Sequence, residues 1–319
     1  MVVTHALRPS LADVIEARER LAGIAVRTPL LQLHGSTSIW IKPEVLQPVG
    51  SFKLRGIYNA VAALEPAERE RGVCTVSSGN TAQALSWAAQ RFGISARAIM
   101  PRTAPETKIA ATRAFGGEPD LRDPESAFNS LYDGSYHDEP ENFIHPVANR
   151  QVMAGHGVIA LEILEDLPEV DTVFVPVGGG GLSCGIAAAL KAKRPQARVI
   201  GVQPAGCTPV IAGLEAGKPV IVPVDTFCDG VAVSFMFPEM EPVLRELLDG
   251  IVTVEEEDVY ATIQQLALKH KLVAEGAGAL AVAAALQMSE PERGLSVAIV
   301  SGGSIDPDKL ASILTTGRP

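Results

Sequence analysis

The chain has 319 residues, of which 47% are hydrophobic and 20% charged, a composition typical of a globular protein with a large buried core. Its 37 acidic residues outnumber its 27 basic ones, and the resulting net charge of −10 argues against a nucleic-acid-binding surface. The four cysteines form no C-x-x-C pair, and no leader-like or long uncharged apolar segment is present, so we expect a cytoplasmic protein without a membrane span.

The first predicted element is a helix over residues 10–23, which a serine opens as N-cap. Amphipathic segments at residues 81–93 and 105–117 predict two further helices, and the second has Pro105 near its start and a Gly-Gly pair at its end. The acidic run at residues 255–258 is expected to open a later helix, because carboxylates favour the positive end of the helix dipole.

Short, continuous apolar runs predict strands that are buried on both faces of a sheet. They lie at residues 73–77, 96–100, 172–177, 198–203 and 296–301. Since helices alternate with these strands along the chain, the sequence predicts an α/β fold of two doubly wound domains with parallel-rich sheets and a cleft between them. The polar, turn-rich stretch at residues 122–143 is the best candidate for a crossing between the domains.

Three polar or glycine-rich loops each follow one of the predicted strands directly. They are SSGN at residues 77–80, GGGG at 178–181 and SGGS at 301–304. Ligands of open parallel sheets bind beyond the carboxyl ends of the strands. We therefore expect the three loops to border one crevice.

Four consecutive glycines, Gly178, Gly179, Gly180 and Gly181, have the properties of a phosphate cradle. They free the backbone N–H groups to face an anion, and the sequence after them predicts a helix whose N-terminus favours negative charge. A tight turn without a ligand is the alternative. The run lacks both the G-x-G-x-x-G spacing and a Walker lysine, so a nucleotide is disfavoured and a phosphate without a nucleotide remains.

The SSGN loop and the residue after it offer several donors to a second anion. Ser77, Ser78, Asn80 and Thr81 carry hydroxyl and amide groups at a predicted helix start, a favourable place for a substrate carboxylate. A helix that is merely capped by serine or asparagine is an equally simple interpretation.

Lys53 stands in the sequence VGSFKLRGI, after a glycine turn and directly after Phe52. A cleft with a phosphate cradle, a carboxylate site and one lysine suggests a phosphorylated aldehyde that the lysine holds as a Schiff base. An aromatic neighbour in a water-poor cleft favours the neutral, nucleophilic amine. The alternative is a surface or ion-paired lysine, which is the commoner situation.

Six segments occur in the order found in the fold-type II pyridoxal-phosphate enzymes. They are KPEVLQPVGSFKLRG (42–56), SSGNTAQAL (77–85), PVGGGGLSCG (176–185), DGVAV (229–233), AEGAGALA (274–281) and SGGS (301–304). Over roughly residues 10–305 the chain most resembles the threonine/serine dehydratase and serine racemase group of these enzymes. The combination of the lysine segment, the glycine run and the terminal serine loop carries the resemblance.

The resemblance implies pyridoxal 5'-phosphate as cofactor and a role for each matching residue. Lys53 would form the Schiff base, Phe52 would lie against the cofactor ring, and Asn80 would bind its 3-oxygen. Gly178 to Gly181 would hold the phosphate, and Ser301 would bind the pyridine nitrogen. The implied fold is tryptophan-synthase-β-like. The expected division is a large cofactor-binding domain, residues 1–65 and 146–319, and a small substrate-closing domain, residues 66–145.

The implied reaction is β-elimination from a small 3-hydroxy amino acid, with L-threonine and L-serine as the leading candidates. Lys53 would remove the α-proton as general base. Ser77, Ser78, Asn80 and Thr81 would bind the substrate, chiefly its carboxylate. Loss of the β-hydroxyl as water would then leave an aminoacrylate, whose hydrolysis yields a 2-oxo acid and ammonium.

The main alternative to the lyase reaction depends on Ser78. In racemase-like members the matching serine reprotonates the α-carbon on the opposite face, so racemisation is a second hypothesis, as a main or a side activity. The simpler interpretation, that Ser78 only binds the carboxylate, is preferred.

Some positions depart from the pattern of the group. Thr81 stands where histidine is usual, which leaves the substrate open. Gln203 and Pro209 replace the carboxylates of metal-binding members, so we expect no metal site. Arg150 is either a structural or surface arginine, or a partner for a second carboxylate, as in 3-hydroxyaspartate.

The sequence therefore predicts a pyridoxal-phosphate-dependent lyase, and a homodimer by resemblance. The alternatives are a racemase, a dehydratase of 3-hydroxyaspartate or of a bulkier 3-hydroxy amino acid, and a cofactor-binding protein without turnover. A nucleotide-binding α/β protein is the alternative from another class.

Overall fold

The computed structural model describes residues 6–104 and 106–319 and has an α/β fold. The strands are β1 Leu31–Gln32, β2 Ile39–Pro43, β3 Val73–Val76, β4 Ala96–Pro101, β5 Glu118–Arg122, β6 Asn142–Phe143, β7 Thr172–Pro176, β8 Arg198–Pro204, β9 Gly250–Val254 and β10 Ser296–Val300. The α-helices are α1 Leu11–Leu21, α2 Lys53–Ala62, α3 Pro66–Arg69, α4 Asn80–Phe92, α5 Glu106–Ala114, α6 Pro124–Asp133, α7 Arg150–Asp166, α8 Gly181–Lys193, α9 Pro209–Ala216, α10 Glu241–Leu247, α11 Glu256–Gln265, α12 Gly276–Gln287, α13 Glu290–Arg293 and α14 Pro307–Thr316.

The strands form two sheets. The larger has six strands in the order β1-β2-β10-β7-β8-β9, and only the β1–β2 pair is antiparallel. The smaller has four parallel strands in the order β5-β4-β3-β6. Parallel neighbours require crossover connections, and the intervening helices supply them. The prediction of an α/β fold with parallel-rich, doubly wound sheets is confirmed.

Helices cover both faces of each sheet, so the central strands are buried on both sides. Along β7, Val173 and Val175 face the core formed with α1, α2, α7 and α8, whereas Phe174 faces the core formed with α11 and α12. Along β4, Ala98 packs with residues of α4 and α5, whereas Ile99 packs on the opposite face with Ala127 of α6. This double burial explains why these strands are continuous apolar runs.

The predicted helix starts are largely confirmed. Ser10 caps α1 and forms a reciprocal capping box with Asp13, in which Asp13 N donates to Ser10 Oγ over 3.2 Å. The acidic run at 255–258 opens α11, which begins at Glu256. Pro105 lies outside the described residues, and the helix that was predicted there is described from Glu106.

The predicted domain crossing at residues 122–143 is wrong. This stretch forms α6 and β6, and β6 pairs with β3 inside the four-stranded sheet. Its polar composition reflects the outer face of α6, whose inner face packs on β3 and β4, rather than a linker. The division into domains at residues 65 and 146 stays a prediction.

A buried network of four charges fixes the start of α2. Arg55 is 1% exposed, and its guanidinium binds Glu44 over 2.8 Å and Glu162 over 2.6 Å. Lys42 on β2 is also fully buried, with its ammonium 2.6 Å from Glu162. Because the two cations and two carboxylates neutralise each other, the network can lie beneath the cleft without an unpaired charge.

Candidate active site

The carboxyl ends of β3, β7 and β10 border one cavity of about 430 Å³, which is within the usual size range of small-molecule sites. Every site residue predicted from the sequence lines this cavity: Phe52, Lys53, Ser77, Ser78, Asn80, Thr81, Gly178, Gly179, Gly180, Gly181 and Ser301. The expectation that the three loops meet in one crevice is confirmed. The cavity draws its walls from both sheets.

Lys53 is the first residue of α2, directly after a turn in which Gly50 has a φ of +70°. The segment before the lysine pairs with the SGGS loop: Phe52 N donates to Ser301 O over 3.0 Å, and Gly303 N donates to Gly50 O over 3.0 Å. The Lys53 ammonium donates to the carbonyl of Pro146 over 3.2 Å. The turn therefore holds the amine at the cavity wall.

The surroundings of Lys53 favour its neutral form. Removal of water from the ammonium lowers the pKa of Lys53 to about 8, although the carboxylate of Glu275 partly opposes this shift. The Phe52 ring centre lies 5.2 Å from Nζ, and the ring packs edge-on against His156 at 4.7 Å. Burial keeps the pKa of His156 well below its ordinary value, so this neighbour adds no positive charge near pH 7. About a tenth of the amine is thus neutral and nucleophilic at pH 7, far more than for a lysine with an ordinary pKa.

The glycine run links β7 to α8 and leaves no room for side chains. A Cβ at Gly179 would lie 2.6 Å from Val147 Cγ2, and one at Gly180 would lie 2.7 Å from Leu244 Cδ2. Gly180 also has a φ of +96°, a conformation that other residues rarely adopt. The backbone therefore lines the cavity directly at the N-terminus of α8, as a phosphate site requires.

The SSGN loop connects β3 to α4. Gly79 N donates to Ser77 Oγ over 3.2 Å, and Gly79 occupies the N-cap position without a capping side chain. The interpretation that serine or asparagine only caps this helix therefore does not account for the loop. Ser78 lies at the cavity surface, and Thr81 is buried in the first turn of α4.

The SGGS loop follows β10 and lines the cavity with Ser301 and Ser304. Ser301 is 3% exposed, and its hydroxyl donates to the carbonyl of Ala277 over 3.3 Å. Ser304 donates from its hydroxyl to Asn80 Oδ1 over 2.7 Å, which joins this loop to the SSGN side.

Glu275 is a residue of the cavity that was not predicted from the sequence. It lies at the N-cap of α12, lines the cavity and accepts a 2.8 Å hydrogen bond from Asn80 Nδ2. Burial raises the pKa of Glu275 to about 7, and the nearby negative charge of Asp229 adds to this effect. One feature of the sequence could have indicated it: Glu275 directly precedes the small apolar residues of α12, which form no polar helix face for a carboxylate to join.

Lys108 and Asp229 were also missed. Lys108 extends from α5 to form an ion pair with Asp229, and both side chains line the cavity. The pair joins the part of the chain around the four-stranded sheet to the segment before Val231. Nothing in the local sequence links these residues, which are 121 positions apart.

One wall of the cavity is apolar. The side chains that form it come from α6, from the loop before α7 and from the segment after Asp229: Leu131, Val147, Val231, Val233, Phe235 and Phe237. Apart from Lys53, the cation among the described lining residues is Lys108, which is paired with Asp229.

Gln203 and Arg150 have contacts that explain them structurally. Gln203 is fully buried at the end of β8, donates to Val177 O over 3.2 Å and accepts from Ile211 N over 3.2 Å. Arg150 binds Asp13 of α1 over 2.7 Å and is absent from the described cavity lining.

Within residues 6–104 and 106–319 no cluster of three or more His, Cys, Asp or Glu is placed to hold a metal ion. The absence of a metal site stays a prediction.

In the same described ranges, no helix combines the length and apolar character that crossing a membrane requires. Each of the four cysteines is buried and free.

Comparison with known proteins gives a consistent result. A model of the family described as "Pyridoxal-phosphate dependent enzyme" matches residues 22–302. The L-threonine ammonia-lyase of Thermotoga maritima is 41% identical over 318 residues, covering 97% of this chain and 79% of that protein. The catabolic L-threonine dehydratase TdcB of Escherichia coli K12 is 37% identical, covering 98% of each chain. The structure of maize serine racemase superposes with a TM-score of 0.87 at 32% identity, covering 96% of each chain.

Proposed function

Because the chain belongs to the pyridoxal-phosphate-dependent enzymes, as a fold-type II lyase, we propose that it converts L-threonine or L-serine to a 2-oxo acid and ammonium. The observation that carries this proposal is the convergence of one lysine, a glycine cradle and a donor-rich helix start on a single cavity. The names of its relatives favour threonine.

The residues present fit the cofactor. The side-chain-free cradle at the N-terminus of α8 suits its phosphate, and Lys53 suits its aldehyde carbon. Asn80 and Ser301 would hold the ring oxygen and ring nitrogen, with Phe52 against the ring. Bound pyridoxal phosphate acts as an electron sink that makes the α-proton of an amino acid easier to remove.

Lys53 is proposed as the general base at the α-carbon. Its pKa of about 8 lies close to physiological pH, so the amine can both accept the α-proton and release it again. Its hydrogen bond to the Pro146 carbonyl holds the amine at the wall where the α-carbon would lie.

The substrate carboxylate is proposed to bind at the start of α4. Ser77, Ser78 and Thr81 offer hydroxyl donors there, next to the free backbone amides of the first helical turn.

The apolar wall favours a substrate with a small apolar group at the β-carbon, such as the methyl group of threonine. Neither Lys108 nor Arg150 is free to bind a second substrate carboxylate, as in 3-hydroxyaspartate, because Lys108 is paired with Asp229 and Arg150 with Asp13. We therefore rank 3-hydroxyaspartate below threonine and serine.

Racemisation is the second candidate activity. Ser78 and Lys53 line the same cavity, as an acid and a base on two faces of a substrate would have to do. The similarity to maize serine racemase supports keeping this candidate. It predicts loss of optical activity without release of a 2-oxo acid.

We further propose a cytoplasmic location, on the evidence of four buried free thiols, and a homodimer, by analogy with the family. The segment between residues 66 and 145 is proposed to act as a small domain that closes over the substrate. The ion pair between Lys108 and Asp229 is one contact such closure would use.

The test is an assay of purified protein, saturated with pyridoxal phosphate, on L- and D-3-hydroxy amino acids. We expect 2-oxo acid and ammonium in equal amounts from L-threonine or L-serine, and their loss in Lys53→Ala. The exposed Lys218→Ala is the control and should retain activity. A protein that binds the cofactor but releases no 2-oxo acid from any of these substrates would contradict the proposal.

A further inference from the structure

The carboxamide of Asn80 is held on both sides by residues from distant parts of the chain. Its Nδ2 donates to Glu275 Oε1 over 2.8 Å, and its Oδ1 accepts from the Ser304 hydroxyl over 2.7 Å. Asn80 follows β3 of the four-stranded sheet, whereas Glu275 and Ser304 belong to segments around the six-stranded sheet. The two hydrogen bonds therefore cross between the sheets at the cavity wall.

These two contacts fix which way the amide faces. When Glu275 is ionised, its carboxylate only accepts hydrogen bonds and therefore requires the nitrogen of Asn80 rather than its oxygen. A reversed amide would place two oxygens together and leave the carboxylate without its donor. The ionised form of Glu275, which predominates above its pKa of about 7, thus favours this orientation of the amide.

The fixed orientation leaves one amide hydrogen of Asn80 uncommitted. The Nδ2 group has two hydrogens, and its hydrogen bond to Glu275 uses one of them. No second acceptor for this group is found among the described residues, and Asn80 lines the cavity. The remaining hydrogen is available to an acceptor on a bound ligand.

The backbone packs closely around the hydrogen bond between Asn80 and Glu275. A Cβ at Gly302 would lie 2.5 Å from Glu275 Oε1 and 3.1 Å from Asn80 Nδ2. The amide of Glu275 itself donates to Gly302 O over 3.0 Å. The glycine lets the SGGS loop approach the contact closely enough for Ser304 to reach Asn80.

We propose that Glu275 and Ser304 are positioning residues, which hold the Asn80 carboxamide with one N–H directed at the ring oxygen of the cofactor. The inference rests on the proposed function, since it assumes that Asn80 meets that oxygen. Glu275 and Ser304 act through Asn80 and need not touch the cofactor themselves.

The test is a double-mutant cycle on cofactor binding. Apoprotein is titrated with pyridoxal phosphate, and the visible absorption band gives an apparent dissociation constant and a wavelength maximum. Ser304→Ala should raise the dissociation constant about 5-fold and shift the maximum, because one hydrogen bond to the amide is lost. Ser304→Thr, which keeps the hydroxyl, should restore both.

The decisive comparison is made in the Asn80→Ala background. If Ser304 acts through Asn80, Ser304→Ala should change the dissociation constant less than about 2-fold there. The same cycle is run with Glu275→Gln, and the exposed Glu257→Gln serves as the charge-matched control. Thermal unfolding of each apoprotein checks that the variants are folded.

Equal effects of Ser304→Ala with and without Asn80 would overturn the inference, as would a Ser304→Ala variant that binds like the wild type. A wild-type apoprotein that develops no visible band would instead overturn the proposed function itself. The two failures are thus distinguishable by the wild-type titration alone.

Discussion

In the proposed function, Lys53 is the residue that captures the cofactor. Only the uncharged amine attacks an aldehyde, and burial lowers the pKa of Lys53 to about 8. The capture rate should therefore rise about tenfold per pH unit below pH 8 and level off above it. Stopped-flow absorbance between pH 6 and 10 measures this profile. A rate that keeps rising to pH 10 would show that the lysine has an ordinary pKa.

Gly180 is predicted to be required for phosphate binding. Gly180→Ala would add a Cβ 2.7 Å from Leu244 at a φ of +96°, so the cradle must shift. We expect cofactor affinity to fall about 10-fold or more in a titration. Gly217→Ala is the matched control, because Gly217 has a φ of +64° but open space around its Cα. Equal loss of affinity in both variants would contradict a specific role for the cradle.

Candidate site residues could be predicted from the sequence where they lie in a short, recognisable segment. Lys53, Gly180 and Ser78 lie in loops directly after or before a predicted element, and all line the cavity. The contacts of Glu275 and Ser304 with Asn80 could not be predicted, because Asn80 lies 195 and 224 positions away from them. Only the folded chain brings those polar groups together.

The start of α2 depends on the buried charge network of Lys42, Glu44, Arg55 and Glu162. Glu162→Gln leaves Lys42 and Arg55 with one fewer negative partner in a fully buried position. We expect a loss of about 3–5 kcal/mol of stability, measured by urea unfolding. Glu106→Gln breaks an exposed pair with Arg113 and should change stability by less than about 1 kcal/mol. Similar effects in the two variants would contradict the structural weight given to the network.

Strands were predictable from the sequence where both of their faces are buried. The central strands β3, β4, β7, β8 and β10 are covered on both faces and therefore appear as apolar runs. Strand β2 was not predicted, because it contains Lys42, whose charge is neutralised by a residue 120 positions later. Strand β9 was missed as a half-buried edge strand.

At the scale of the whole molecule, the cavity joins segments of both sheets. A ligand that contacts both should stabilise them together, since binding to the folded state alone raises the unfolding temperature. We expect saturating pyridoxal phosphate to raise the melting temperature of the apoprotein by at least about 5 °C, and Lys53→Ala to lose most of this gain. Differential scanning fluorimetry measures both. An unchanged melting temperature would contradict a cofactor site that spans the two sheets.

The order of helices and strands made the overall architecture predictable. The path of the chain between the two sheets could not be predicted. Residues 122–143 contain α6, which packs on the central strands of the smaller sheet and exposes its outer face, and they do not form a linker. Composition alone does not separate these two cases, since both expose polar side chains to water. Packing against β3 and β4 decides between them.

The most direct test of this account is to identify the residue that holds the cofactor. Protein saturated with pyridoxal phosphate is reduced with borohydride, digested and mapped by mass spectrometry. We predict that the cofactor mass is found on the peptide containing Lys53. An unmodified Lys53, or a label on Lys108 instead, would contradict the account.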